Sequence, residues 1–200
     1  QLKEQMLNDG LEIESLISNF DLGIIIDYFI SKKGMDYANL PKGLLLFHDY
    51  QDGPRTSIEE HLVEAAIYST NKNKKSSIHL TVSPEHVSRF NDLITEKIDK
   101  YQKRYGVNYE ITFSKQKPST DTIAVTNDNK PFRNEDNSIL FRPGGHGALI
   151  ENLNDLNAEI IFIKNIDNVV PDYLRETTYK FKRVIGGLLI KIQENIFDYL

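Results

Sequence analysis

Gly144, Gly145 and Gly147 crowd around His146, and Asn165, Asp167 and Asn168 form a polar cluster further along. These are the residues whose types and spacing could handle a phosphorylated ligand. Glycine lacks a Cβ, so such a turn can take positive φ and lets a ligand approach its N–H groups closely. If residues 148–153 continue as a short helix, those N–H groups lie at a helix N-terminus, which favours phosphate and other anions. A turn that is only a turn stays open, because Pro143-Gly144-Gly145 is also ordinary turn chemistry. His146 could donate to a phosphate or a sugar hydroxyl, or bond within its own turn. Asp167 falls just beyond Ile160, Ile161, Phe162 and Ile163, a continuous apolar run typical of a strand covered on both faces. In open α/β sheets ligands sit beyond the carboxyl ends of such strands.

The elements that must position these residues alternate along the chain. Residues 1–40 are expected to form a helical N-terminal segment, with short helices over 11–20 and 22–31, broken near Asp21 and Gly23 and stopped by Gly34. Ile24, Ile25 and Ile26 leave a local strand open. Residues 44–47 read as a short buried strand or an extended segment, preceded by Lys42 fixed between Pro41 and Gly43. Thr56 and Glu59 have capping-box spacing for a helix running to about Thr70, with Ile58, Leu62, Ala65 and Ala66 facing inward. Residues 71–75, NKNKK, read as an exposed loop.

Residues 77–82 read as the next strand, and Ser83-Pro84-Glu85 as the start of a helix. That helix carries Val87, Phe90, Ile94, Ile98 and Tyr101 on one stripe until Gly106 stops it. Residues 107–113 alternate like a strand. Residues 122–125, Asn127-Asp128-Asn129 and residues 139–141 indicate a hairpin-like excursion. Pro171-Asp172 is a plausible start for a long helix with Leu174, Phe181, Ile185, Leu188, Ile192 and Ile196 on one face, and Gly186-Gly187 weakens it locally or permits close packing. This order predicts an α/β sheet with right-handed crossovers.

Two hundred residues and 23.0 kDa suit one α/β domain spanning residues 1–200. A net charge of -5, from 24 Lys+Arg against 29 Asp+Glu, supplies no global basic field for nucleic acid. Cysteine is absent, which excludes disulfide and thiolate chemistry and fits a cytoplasmic location. No apolar run approaches the roughly 20 residues that cross a bilayer, so no membrane partner is expected, and the N-terminus lacks a signal-peptide pattern. The chain opens on Gln1 instead of Met and reads as a piece of a longer protein.

The segments PKGLLLFH (41–48), RTSIEEHLVEAA (55–66), LTVSPEH (80–86), FSKQKPSTDTIAV (113–125), FRPGGHGALIENLNDL (141–156) and IIFIKNIDNVVPD (160–172) resemble a bacterial family known as domain of unknown function 4301. The resemblance runs over nearly the whole chain. That family in turn is similar to UDP-sugar pyrophosphorylases, nucleotide-diphospho-sugar transferases of the glycosyltransferase-A type. The fold implied is a Rossmann-like, mostly parallel mixed sheet flanked by helices. Pro41-Lys42 resembles the pair that closes the pyrophosphorylase signature, whose lysine contacts phosphate. Gln116 resembles the glutamine of a Phe-x-Gln segment that reads the uracil edge, with one more residue between it and Phe113. Gly144, Gly145, His146 and Gly147 resemble a turn that packs on base and ribose. Asn165-Ile166-Asp167-Asn168 resembles a strand end whose aspartate helps to hold Mg²⁺ and the nucleotide phosphate. One departure stands out: the signature opens with a glycine-rich loop, Gly-x-Gly-Thr-x-x-Gly, whereas residues 1–40 hold only Gly10, Gly23 and Gly34. That loop and its strand are expected upstream of this chain, or lost.

The implied activity is nucleotidyl transfer from a nucleoside triphosphate, UTP by the resemblance, to a sugar 1-phosphate. Positioning and charge neutralisation accelerate such reactions, so a lysine, a backbone nest and a metal-holding carboxylate are the expected parts. Lys42 would neutralise phosphate charge, or be an ordinary solvated lysine. Asp167 would bind Mg²⁺, a hard cation that takes oxygen ligands, or cap the following turn. Arg142 and Lys164 rank second as phosphate contacts. His48, His61, His79 and His86 do not cluster at metal-ligand spacing and receive no role. A non-catalytic module that binds a nucleotide sugar or UDP-sugar without turnover is the alternative. A metal-dependent glycosyltransferase ranks third, since the sequence has no Asp-x-Asp.

Overall fold

The computed structural model describes residues 1–200, the side chain of His146 excepted, and is α/β: seven α-helices and small, mixed sheets among the described residues. Contacts divide the chain into two units, Gln1–Glu60 with Ile166–Val169, and His61–Asn165 with Val170–Leu200.

In the first unit, α1 (Leu2–Asn8), α2 (Ile13–Ser18) and α3 (Leu22–Ile30) follow one another through tight turns. Helices this short are marginal alone in water. Each therefore contributes one buried residue to a shared cluster, Met6, Leu16 and Tyr28, flanked by Leu2, Leu11, Ile13 and Ile25. The Tyr28 hydroxyl donates to Asp9 at 2.6 Å, so the ring is buried without leaving its polar end unmet. A 3-10 turn at Lys42–Leu44 leads into β1 (Leu46–His48), which pairs antiparallel with β2 (Arg55–Thr56).

The helix α4 (Ser57–Tyr68) begins at once after β2. The predicted capping box is present: Glu59 Oε2 accepts the Thr56 N–H at 2.8 Å, and Thr56 Oγ1 accepts the Glu59 N–H at 3.4 Å. Thr56→Ala is expected to lower stability by about 1 kcal/mol, read as a shifted midpoint in urea denaturation followed by circular dichroism. Ile58, Leu62 and Ala65 are buried as expected, but so are Glu60 and Glu64. A helix covered on every side must give its carboxylates partners.

In the second unit, β3 (Lys75–Thr81) and β4 (Asn108–Ser114) pair in parallel, from Lys75 with Asn108 to Thr81 with Ser114. Between them runs α5 (Val87–Tyr105), led in by a 3-10 turn at Pro84–His86. Its predicted stripe buries Phe90, Ile94 and Tyr101, and Gly106 ends it in the left-handed region at φ 64°. Leu62, Val63 and Tyr101 form the centre of this core, with Ile78, Tyr109 and Ile111 against them. The predicted excursion is a set of short antiparallel pairings. β5 (Thr122–Ile123) meets β6 (Phe141–Arg142), bridges join Val125 to Pro131 and Arg133 to Ile139, and Asn129 and Asn137 turn the chain with positive φ. A 3-10 turn at His146–Leu149 then enters α6 (Ile150–Asn154).

One expectation is corrected here. The single mostly parallel sheet does not form among the described residues; three separate pairs do, and only β3 with β4 is parallel. Residues 160–163 join none of them. Phe162 turns inward onto Tyr68, ring centroids 5.1 Å apart, while Ile163 remains 68% exposed. The segment alternates like a strand, but a ladder needs a second backbone beside it, and none pairs with it among the described residues. The expected long helix is α7 (Arg175–Tyr199), which follows a 3-10 turn at Asp172–Leu174. Its docked face carries Arg175 and Gly186, whereas Phe181, Ile185, Leu188, Ile192 and Ile196 are exposed. Gly186 decides that face: a Cβ there would stand 3.1 Å from the Phe162 ring, so close packing is the reason for glycine. Among the described residues no helix is long and apolar enough to cross a membrane.

Candidate functional site

Lys42 and Asp167, separated by 125 positions in sequence, meet in the first unit with Nζ 2.6 Å from Oδ2. Pro41 starts the 3-10 turn that carries Lys42, its carbonyl accepting the Leu44 N–H at 2.9 Å. Asp167 is placed by its neighbour, since the Ile166 carbonyl accepts the hydroxyl of Ser57, the first residue of α4. The two side chains are 64% and 40% exposed. An ion pair so open to water adds roughly 0–1 kcal/mol. Breaking it in favour of a ligand is correspondingly cheap.

Gln116 and Gly144 meet in the second unit. Gln116 Nε2 donates to Asp121 at 3.4 Å, and a Cβ on Gly144 would lie 3.6 Å from that same nitrogen. It would also lie 2.9 Å from the Thr120 carbonyl oxygen. Gly144 is therefore required by room. Positive φ, the expected reason for these glycines, belongs instead to Gly10, Gly53 and Gly106, and Gly145 has φ -69°. Gly145 and Gly147 face open space. Gly144→Ala is expected to cost about 1–2 kcal/mol as the turn shifts off residue 120, while Gly145→Ala leaves the thermal midpoint unchanged; paired melting curves of the two variants read the difference.

The remaining predicted residues separate. Asn165 is exposed at the end of the unpaired segment, and Arg142 is exposed on β6. The side chain of His146, and with it the expected donor role, lies outside the described residues. The expected helix behind the turn is only the five residues of α6, too short to focus an anion at its N-terminus. What fixes α6 is Asn152, buried at 4% exposure, whose Nδ2 donates to Ser114 Oγ at 2.9 Å and to the Lys115 carbonyl at 2.7 Å. Asn152 thus ties the glycine turn's helix to the end of β4, where Gln116 begins.

Lys164 is not a free cation for phosphate. It is bonded to Glu64, with side-chain exposures of 9% and 1%, and the Tyr68 hydroxyl donates to the same carboxylate oxygen at 2.9 Å. Burial, with the Glu64 charge next, pushes the Tyr68 hydroxyl far above its ordinary pKa. Sequence reasoning also missed a polar cluster around Glu60. His48 Nδ1 and the Tyr50 hydroxyl reach one oxygen at 2.8 and 2.7 Å, and Arg55 Nη1 lies 3.6 Å from the other. The signal was present in the two adjacent glutamates, Glu59 and Glu60, that precede the apolar Leu62, Val63, Ala65 and Ala66.

Comparison with curated proteins and with solved structures gives no match. A family model, by contrast, covers every residue of the chain. That model, described as Domain of unknown function (DUF4301), matches residues 1–200, and the chain belongs to this family.

Proposed function

We propose that this chain carries part of a nucleotide-sugar site on a nucleotide-diphospho-sugar transferase type of fold, similar to UDP-sugar pyrophosphorylases, and that the reaction is nucleotidyl transfer from UTP to a sugar 1-phosphate in the cytoplasm. The observation that carries the reading is the Lys42–Asp167 pair: a cation and a carboxylate from distant segments, exposed and cheaply parted. Within the second unit, taken by itself, Gln116 sets a hydrogen-bonding amide beside Gly144. In the reaction a sugar 1-phosphate oxygen attacks the α-phosphorus in line and pyrophosphate leaves. Lys42, in the first unit, balances phosphate charge; Gln116, in the second, is the residue to which the resemblance gives the uracil edge.

The residues present fit Mg²⁺ delivered on phosphate. Such a cation keeps most of its waters and needs only one or two protein carboxylates. Asp167 offers an exposed one, and no group of three or more His, Cys, Asp or Glu gathers elsewhere among the described residues. Mg²⁺ held there would neutralise developing phosphate charge.

Titration calorimetry with UTP and UDP-glucose, with and without Mg²⁺, tests binding, and pyrophosphate release with sugar 1-phosphates tests turnover. Asp167→Asn is expected to remove the Mg²⁺-dependent part of UTP affinity, at least tenfold, while leaving stability within about 0.5 kcal/mol because the residue is exposed. Unchanged Mg²⁺ dependence overturns the metal assignment. Binding without pyrophosphate release selects the non-catalytic module, and no uridine nucleotide binding overturns both readings.

A further inference from the structure

His48 closes β1 and stands in register with Arg55 of β2. Its Nδ1 lies 2.8 Å from Glu60 Oε1, which also accepts the Tyr50 hydroxyl at 2.7 Å. Glu60 is fully buried, and Arg55, itself 2% exposed, brings Nη1 to 3.6 Å from the other carboxylate oxygen. The guanidinium lies 3.8 Å over the Tyr50 ring, with Asp52 3.9 Å away from Nη2. A carboxylate held by a cation accepts hydrogen bonds and donates none, so the proton in the His48 contact belongs to Nδ1. In the neutral ring, Nε2 is then an acceptor. It has no hydrogen-bond partner among the described residues, and the side chain is 20% exposed. A ring fixed by a carboxylate at one nitrogen and open at the other is the arrangement by which histidines present a base to a ligand.

We infer that His48 Nε2 is a ligand contact that accepts a hydrogen bond from a sugar hydroxyl, with Glu60 as its positioning residue. A hydroxyl suits this atom better than a phosphate does, because a hydrogen-bond acceptor offers an anion no proton. Naming the hydroxyl as a sugar's rests on the nucleotide-sugar reading; the tautomer and the open acceptor do not.

Nitrogen-15 NMR of the histidine-labelled chain tests both parts. The free protein is expected to show His48 protonated at Nδ1, and its Nε2 resonance is expected to move saturably with glucose 1-phosphate but not with inorganic phosphate. His48→Gln is expected to weaken glucose 1-phosphate binding roughly tenfold, the loss of one hydrogen bond. Glu60→Gln is expected to mix the two tautomers; where that variant does not fold, the wild-type spectrum keeps the inference falsifiable. A free protein protonated at Nε2 overturns the positioning by Glu60. An Nε2 resonance indifferent to glucose, galactose and N-acetylglucosamine 1-phosphates overturns the contact. If UTP still binds in that case, the nucleotide-sugar reading stands and the His48 assignment alone falls.

Discussion

Lys164→Ala is expected to lower the unfolding free energy by about 3–5 kcal/mol, the usual cost of removing one partner of a buried ion pair. The size follows from what stays behind. Glu64 is 1% exposed, its Oε1 has no partner among the described residues, and only the Tyr68 hydroxyl would remain on Oε2. Glu64 stays buried with no cation beside it, so the charge keeps most of its desolvation penalty. Urea denaturation reads the loss as a lower midpoint at unchanged slope. A double variant, Lys164→Met with Glu64→Leu, is expected to recover most of it, since replacing both charges by apolar groups leaves nothing unpaired. If Lys164 were a solvated phosphate contact, the single substitution would change stability by no more than about 0.5 kcal/mol.

Gly34→Ala carries the second large effect, about 3 kcal/mol, at the upper end of the range for overpacking. The added Cβ would stand 2.0 Å from the Tyr28 carbonyl oxygen and 2.7 Å from its carbon. Both are backbone atoms, and the same carbonyl accepts the Met35 N–H at 2.8 Å, so the clash can be relieved only by moving the end of α3. Tyr28 anchors the three-helix cluster, and displacing it loosens Met6 and Leu16 as well. Gly23 is the matched control. It lies within α3, and an added methyl there would meet nothing inside 4 Å, so alanine is expected to stabilise by roughly 0.5–1 kcal/mol through helix propensity. Opposite signs at two glycines eleven positions apart, 23 and 34, would separate steric need from conformational freedom.

The helices were legible where local chemistry decides them. Thr56 with Glu59, and the stripe of α5 ended by Gly106, are short-range signals that the packing left intact. What could not be read locally was partnership. Residues 160–163 have the composition of a covered strand, but pairing depends on another segment's backbone, and Phe162 instead packs on Tyr68. The apolar stripe of α7 predicted a face without saying whether anything covers it. Glu60 and Glu64 drew no reading, because their partners, His48, Arg55 and Lys164, lie outside the helix. Of the site, residue types were legible and distances were not. Spacing alone gave no reason for Lys42 to meet Asp167 at 2.6 Å.

Lys42 and Asp167, bonded to each other, form a small neutral couple, and Mg²⁺ on a phosphate is another. On the proposed reading, binding is a double exchange of partners: lysine to phosphate, aspartate to metal. Phosphate arriving alone would take the ammonium and set an anion beside the carboxylate, and metal alone would take the carboxylate and set a dication beside the ammonium. The two together give each member of the pair a new partner of opposite charge. The pair would then act as a logical AND, ignoring either ion singly and answering to the complex.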